Sequence, residues 1–270
     1  MNKYFSQERG DGVSATGLVA TTWQEARRRP GTLILAFWYL FIVVLFEYFS
    51  LSHLGSGFSA WLVRLTSTGS LPPLPAGLAF KLALVYLTFI LIVFPFSLGG
   101  LVGGVAAGLS GRSSLTSLFA YFRHAVASFW VSLGLVASAL VATAILYLAV
   151  VLFLNLGSVD MVLAVVTRLI ALAVLIFWLA TLFYWAGALF LGGELVLPGF
   201  WNALRWVIHR PWFAFRATGL AVGLLIVAAA LFTFLSAIPF IGAVISMLAS
   251  GIILTLITTF ALVLYRSQTG

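Results

Sequence analysis

The sequence predicts an all-α polytopic membrane bundle, with six transmembrane helices arranged as three repeats of a cytoplasmic interfacial helix and a membrane hairpin. Three observations carry this prediction. The chain is 63% hydrophobic and 7% charged, with mean hydropathy +1.18, whereas a soluble domain carries about 25% charged residues. Six apolar runs are each long enough to cross a hydrocarbon core of ~30 Å at ~1.5 Å per residue. Backbone groups in lipid must be bonded internally, and runs of this length are too long for barrel strands, so the spans are helices.

The third observation is a recurring pattern. In Phe200–Arg216, Phe200, Ala203, Leu204 and Val207 fall at i, i+3, i+4 and i+7, with Asn202, Arg205 and His209 on the opposite face. Pro211 then breaks the helix before a long apolar run. A shift of 85 residues towards the N-terminus gives Leu115, Leu118, Phe119 and Phe122, and a further 96 gives Val19, Thr22, Trp23 and Ala26. In that register Arg27 meets Arg123, His124 meets His209, Arg29 meets Arg210 and Pro30 meets Pro211. The chain therefore reads as one membrane domain, 1–270, with repeats at 14–109, 113–192 and 198–265.

Taken in order, Met1–Gly12 is polar. Residues 1–32 lack the apolar core of a cleavable signal peptide, so the first span is expected to act as its own insertion signal. Ser14–Arg29 is the first interfacial helix, with Glu25 placed to pair with Arg28 or Arg29. Leu33–Ser52 is span one. Leu54–Ala76 is a long loop with Gly55, Gly57, the cluster Pro72-Pro73-Leu74-Pro75 and a short amphipathic piece at Phe58–Leu65. Gly77–Leu109 is span two, and Pro95 inside it predicts a kink. Val126–Leu154, Met161–Gly192, Trp212–Leu235 and Phe240–Tyr265 are spans three to six, with tight turns at Asn155–Asp160 and Ala237-Ile238-Pro239. Of the 14 basic residues, 11 fall on one side (Lys3, Arg9, Arg27, Arg28, Arg29, Arg112, Arg123, Arg205, Arg210, Arg216, Arg266) and 3 on the other (Arg64, Lys81, Arg168). The positive-inside rule then puts both termini and all three interfacial helices in the cytoplasm.

A net charge of +8 would suggest nucleic acid in a soluble chain. Here the charges sit in short loops beside apolar runs, so the expected partners are membrane lipids, anionic ones in particular, or a membrane protein, and not nucleic acid. The chain has no cysteine, which excludes disulfides and thiolate chemistry. It has no phosphate loop, metalloprotease helix, nucleophile elbow or dinucleotide fingerprint, so no cofactor is expected. Gly108-Leu109-Ser110-Gly111 matches the short GxSG pattern of rhomboid-type proteases, but none of His53, His124 and His209 lies in the middle of a span to serve the serine. Two histidines beside arginines, with no nearby acid, are poor metal ligands. No catalytic residue is expected.

Three sets of residues stand out. Gly99 and Gly103, with the row Gly100, Gly104 and Gly108, let helix backbones touch in lipid; the alternative is a broken helix lining a transport site. Gly242, Ser246 and Ser250 in span six, and Gly219 and Gly223 in span five, are the expected packing partners. Glu47, Lys81 and Arg168 form an outer charge cluster, either a structural pair or a coupling carboxylate with its bases; Asp160 starts span four. Glu194, at the inner end of span four, is expected to meet Arg205 or Arg28. Arg27, Arg28, Arg29, Arg123, Arg205, His209 and Arg210, with Trp23, Trp201, Trp206 and Trp212, form a basic aromatic surface suited to anionic headgroups or a docking partner.

The unit of arginine-bearing surface helix, Pro or polar residue, and hairpin resembles a broad set of uncharacterised bacterial six-span proteins. Among them is the membrane domain attached to some glycerophosphodiester phosphodiesterases. Phe94-Pro95 with Leu118–Phe129 looks like the YesL type of small membrane protein. No phosphodiesterase domain is present, so the resemblance carries over no catalytic residue; it implies a bacterial plasma membrane location. The function expected is a non-enzymatic scaffold or accessory subunit binding lipid or a membrane-protein partner. The alternative is a permease for an apolar or lipid-like solute.

Overall fold

The computed structural model describes residues 14–68, 72–111, 118–156, 161–236 and 242–269. Within them the chain forms α1 (Ala15–Arg28), α2 (Gly31–Thr68), α3 (Ala76–Thr88), a π turn (Phe89–Val93), α4 (Phe94–Leu109), α5 (Leu118–Leu156), α6 (Met161–Phe190), α7 (Val196–His209), α8 (Pro211–Ser236) and α9 (Gly242–Thr269), with no strand among the described residues. Six helical segments are long and apolar enough to cross a membrane: Gly31–Ser67, Ala76–Leu109, Leu118–Asn155, Val162–Phe190, Pro211–Ala230 and Ile245–Thr269. Residues 1–13, including Lys3 and Arg9, lie outside the description, as do Arg112, Leu115, Asp160 and the turn Ala237-Ile238-Pro239.

Local chemistry sets the helix ends. Ser14 caps α1, its hydroxyl accepting from Gly17 N at 3.0 Å. Pro211 opens α8, where its missing N–H costs nothing. Gly111 and Gly193 follow α4 and α6 with φ of 73° and 66°, a conformation that side chains disfavour. Gly55 (φ 66°) breaks the direction of α2, but the helix resumes through Phe58–Leu65 to Thr68, so much of the expected loop Leu54–Ala76 is helical. In span two the expected disturbance at Pro95 is a π turn: Phe94 N bonds to Phe89 O, five residues back. Pro95 has no N–H to continue the ordinary ladder, and the backbone is rewound just ahead of it.

Helix α9 is the axis of the bundle, packed by α1, α2, α4, α6 and α8. More than half of its apolar window is buried, against less than a quarter for every other span. Its residues suit that place. Ala249, Gly251, Thr255, Thr258, Thr259 and Ala261 are small, and small residues let backbones approach in lipid. Thr255 returns its hydroxyl to Gly251 O at 2.8 Å. Across from it, a Cβ on Gly187 of α6 would overlap Tyr265.

Two expectations about the interfacial helices need correction. The second repeat has no elbow: α5 runs unbroken from Leu118 through Val126 to Leu156. The positions matching Arg210-Pro211 are Ala125-Val126 there, and neither residue ends a helix. Helix α1 is separate, but it packs against α8 and α9. Leu18 and Thr22 are buried, while Val19, Thr22 and Trp23 share a crevice with Leu224, Leu225, Leu256 and Ile257. Leu224 is 13 residues into α8, about 20 Å along its axis, so α1 lies alongside spans. Its hydroxyls permit this: Thr22 bonds to Leu18 O and Thr21 to Gly17 O.

Candidate functional site

The glycine row of α4 forms a seam with α5 and α2. Beside the Cβ position of Gly99 lie Ser132 Oγ (2.9 Å), Ala125 O and Ser128 Cβ (both 3.3 Å). Gly103 faces Ser128 Oγ (2.6 Å), Gly100 the ring of Tyr121, and Gly104 Leu35 of α2. Gly108 is buried at the end of the row. The expected partners in spans five and six are replaced by Ala125, Ser128 and Ser132 of α5, themselves a small-residue row. At Gly219 and Gly223, nothing lies within 4 Å of the point where a Cβ would stand. Three polar atoms near this seam and its α2 flank, Trp38 Nε1, Ser97 Oγ and His124 Nε2, are buried without a hydrogen-bond partner. His124 is half-buried on the unbroken α5, with its Nε2 enclosed.

The arginines divide into two groups. Arg29 pairs with Glu25 at 3.1 Å and donates through Nη1 to Gly108 O. That carbonyl is in the last turn of α4, at the negative end of the helix dipole, and it also accepts from Gly111 N at 3.0 Å. Arg210 donates to Gln268 Oε1 at 2.6 Å, tying the α7–α8 junction to the end of α9. By contrast Arg27, Arg28, Arg123 and Arg205 are exposed, and their side chains make no hydrogen bond or ion pair among the described residues. His209 is exposed, its Nδ1 2.7 Å from Arg205 O.

Helix α7 presents two apolar faces. Gly199, Ala203 and Val207 are buried against α6, with the Phe200 ring tilted against Trp185 at 5.1 Å. Leu197, Trp201 and Ile208 are exposed. Asn202, Arg205 and His209 form a polar stripe between these faces. Next to α7 lies a cluster that the sequence does not announce. Glu194 accepts from Asn202 Nδ2 (2.8 Å) and from Tyr265 Oη (3.4 Å), in place of the expected Arg205 or Arg28. Tyr184 stacks on Trp206 at 4.7 Å and meets Tyr265 edge-on at 5.2 Å, and Trp206 Nε1 donates to Gln268 Oε1. Four chain segments converge there, and the only signal of it in the sequence is the aromatic density of Phe177–Tyr184 and Phe200–Trp212.

The outer charge cluster is not assembled. Glu47, Lys81 and Arg168 are all exposed, and no ion pair joins them among the described residues. Each lies on the outward side of its own helix, from which a long side chain can reach the interface without a partner. Ser110 Oγ donates to Ala106 O at 3.0 Å, closing its own helix end. Among the described residues, no three of His, Cys, Asp and Glu come together as a metal site. An apolar cleft of about 450 Å³ lies between span two, α5 and α6. No family model, curated protein or solved structure matches the chain.

Proposed function

We propose that this chain is a non-enzymatic integral membrane scaffold or accessory subunit that holds anionic lipid headgroups at its arginine-bearing helix ends. The observation that carries the reading is the division of the arginines. Arg29 and Arg210 are used up in joining helices, while Arg27, Arg28, Arg123 and Arg205 remain exposed. Trp201 and Trp212, also exposed, are close to Arg205 in sequence. Arginine with interfacial tryptophan is the composition that favours an anionic headgroup layer. On the positive-inside argument that layer is the cytoplasmic face of a bacterial plasma membrane, with both chain termini on the same side. A permease for an apolar or lipid-like solute is the second reading, favoured by the apolar cleft between span two, α5 and α6.

The test is a quadruple Arg→Gln variant at 27, 28, 123 and 205, reconstituted with phosphatidylglycerol and phosphatidylethanolamine. Each arginine near an anionic leaflet contributes roughly 1 kcal/mol. With orientation verified as unchanged, the number of phosphatidylglycerol molecules retained through purification should fall sharply. Wild-type retention would reduce these arginines to topology signals. A pull-down partner lost with unchanged lipid would shift the scaffold reading from lipid to protein.

A further inference from the structure

The apolar cleft is walled by Phe89, Phe94 and Leu98 of span two, Leu135 and Ala139 of α5, and Leu182 of α6. Its position in the spans is central. Tyr86 to Leu98 occupies the middle of Ala76–Leu109, and Leu135 to Thr143 the middle of Leu118–Asn155. At ~1.5 Å per residue the two walls run for about 18 and 12 Å along their helices. That is about half of a ~30 Å hydrocarbon core, the depth of one leaflet.

Two features hold the cleft open. The π turn ahead of Pro95 directs the Phe89 ring at Phe46 of α2 (5.7 Å) and at Phe94 (5.9 Å), so that it lines the wall without filling the space. Opposite, Ala139 is too short to reach across. Polar groups are confined to one end. The Thr143 hydroxyl there accepts from Trp178 Nε1 at 3.1 Å, and Tyr86 is the only titratable lining residue. Nothing in the cleft recognises a charge or a sugar. An empty apolar void of this size would forfeit contact energy along its whole lining, and hydrocarbon is what surrounds it.

We propose that the cleft is a binding site for one hydrocarbon chain of a membrane lipid, held as a resident ligand distinct from the exchanging lipid around the bundle. The proposal does not depend on the arginine surface. The experiment places the protein in nanodiscs of phosphatidylethanolamine and phosphatidylglycerol containing a phospholipid with a mid-chain diazirine. After photolysis, labelled peptides are mapped by mass spectrometry. Label should concentrate on the peptides spanning 86–98 and 135–143 and survive prior exchange of the bulk lipid. Ala139→Phe, which fills the cleft, should lower that labelling several-fold. Ala137→Phe, exposed on the same helix and outside the lining, should leave it as in wild type. Label spread evenly over lipid-facing segments such as 162–175 would mean annular lipid only and would overturn the proposal. So would undiminished labelling in a folded Ala139→Phe protein. Should that variant fail to fold, the wild-type map after lipid exchange decides alone.

Discussion

Replacing Gly100 by alanine tests the seam between α4 and α5 at its tightest point. A Cβ there would stand 2.5 Å from Tyr121 Cζ and 2.8 Å from Cε1 and Cε2. The ring has no room to retreat, because Tyr121 is 0% exposed and its hydroxyl donates to Ser97 O at 2.9 Å. Overpacking of this kind costs about 1–3 kcal/mol, and displacing the hydroxyl loses a further 0.5–1.5 kcal/mol or so. Against this, alanine in a helix interior gains about 1 kcal/mol over glycine. The net expectation is destabilisation by about 2 kcal/mol, the middle of those ranges. Gly219 and Gly223 serve as internal controls. They are helical glycines with open space around them, so their alanine variants should be neutral or stabilised by up to about 1 kcal/mol. Unfolding in mixed detergent–dodecyl sulfate micelles measures all three. Tyr121→Phe releases the ring from Ser97, so the Gly100→Ala penalty should shrink in that background, a coupling that a double-mutant cycle reads directly. Equal tolerance of alanine at 100 and at 219 would refute the close approach.

Two further outcomes follow from the arginines and the topology. Arg29→Gln should destabilise the protein by about 1.5–3 kcal/mol, the range for a hydrogen bond to a charged group, while Arg27→Gln and Arg28→Gln stay within about 0.5 kcal/mol; thermal midpoints in one detergent separate them. Because the chain has no cysteine, single cysteines report sidedness cleanly. Ser113→Cys and Ser267→Cys should be shielded from an impermeant thiol reagent added outside intact cells, and Ser70→Cys and Ser158→Cys should react; labelling of either of the first two from outside sinks the six-span orientation.

The spans are legible in the sequence because hydrocarbon thickness fixes their length. The glycine row is legible as a row. Its partner is not, because Ala125, Ser128 and Ser132 look unremarkable beside the more conspicuous glycines of spans five and six, and composition does not say which helix is the neighbour. The second elbow is where the pattern misleads. Leu118, Phe119 and Phe122 repeat the apolar spacing of Phe200–Val207, but spacing alone does not stop a helix; Pro211 stops one, and Val126 does not. Arg29 illustrates a different limit. Its acceptor is a carbonyl 79 residues away, and a backbone atom leaves no mark in the side-chain pattern. The Glu194–Tyr265 contact, 71 residues apart in sequence, is hidden for a related reason: which helix ends meet is decided by packing along α9.

The π turn at Phe89–Val93 makes span two two rods joined out of phase. One residue of an α-helix accounts for about 100° of rotation, so the extra residue taken up by the π turn offsets α3 from α4 by roughly that angle. Below the slip, α4 is locked in azimuth by Gly99, Gly100 and Gly103 against α5. Above it, α3 carries no such key. Deleting one residue from Phe89–Val93 would remove the extra residue and restore an unbroken α ladder, leaving Leu78, Lys81 and Tyr86 on the faces they now occupy and the glycines in place. In most membrane helices a single-residue deletion scrambles every face that follows. Here the chain contains a built-in joint where its length can change by one residue while both the seam and the outward face of α3 stay in register.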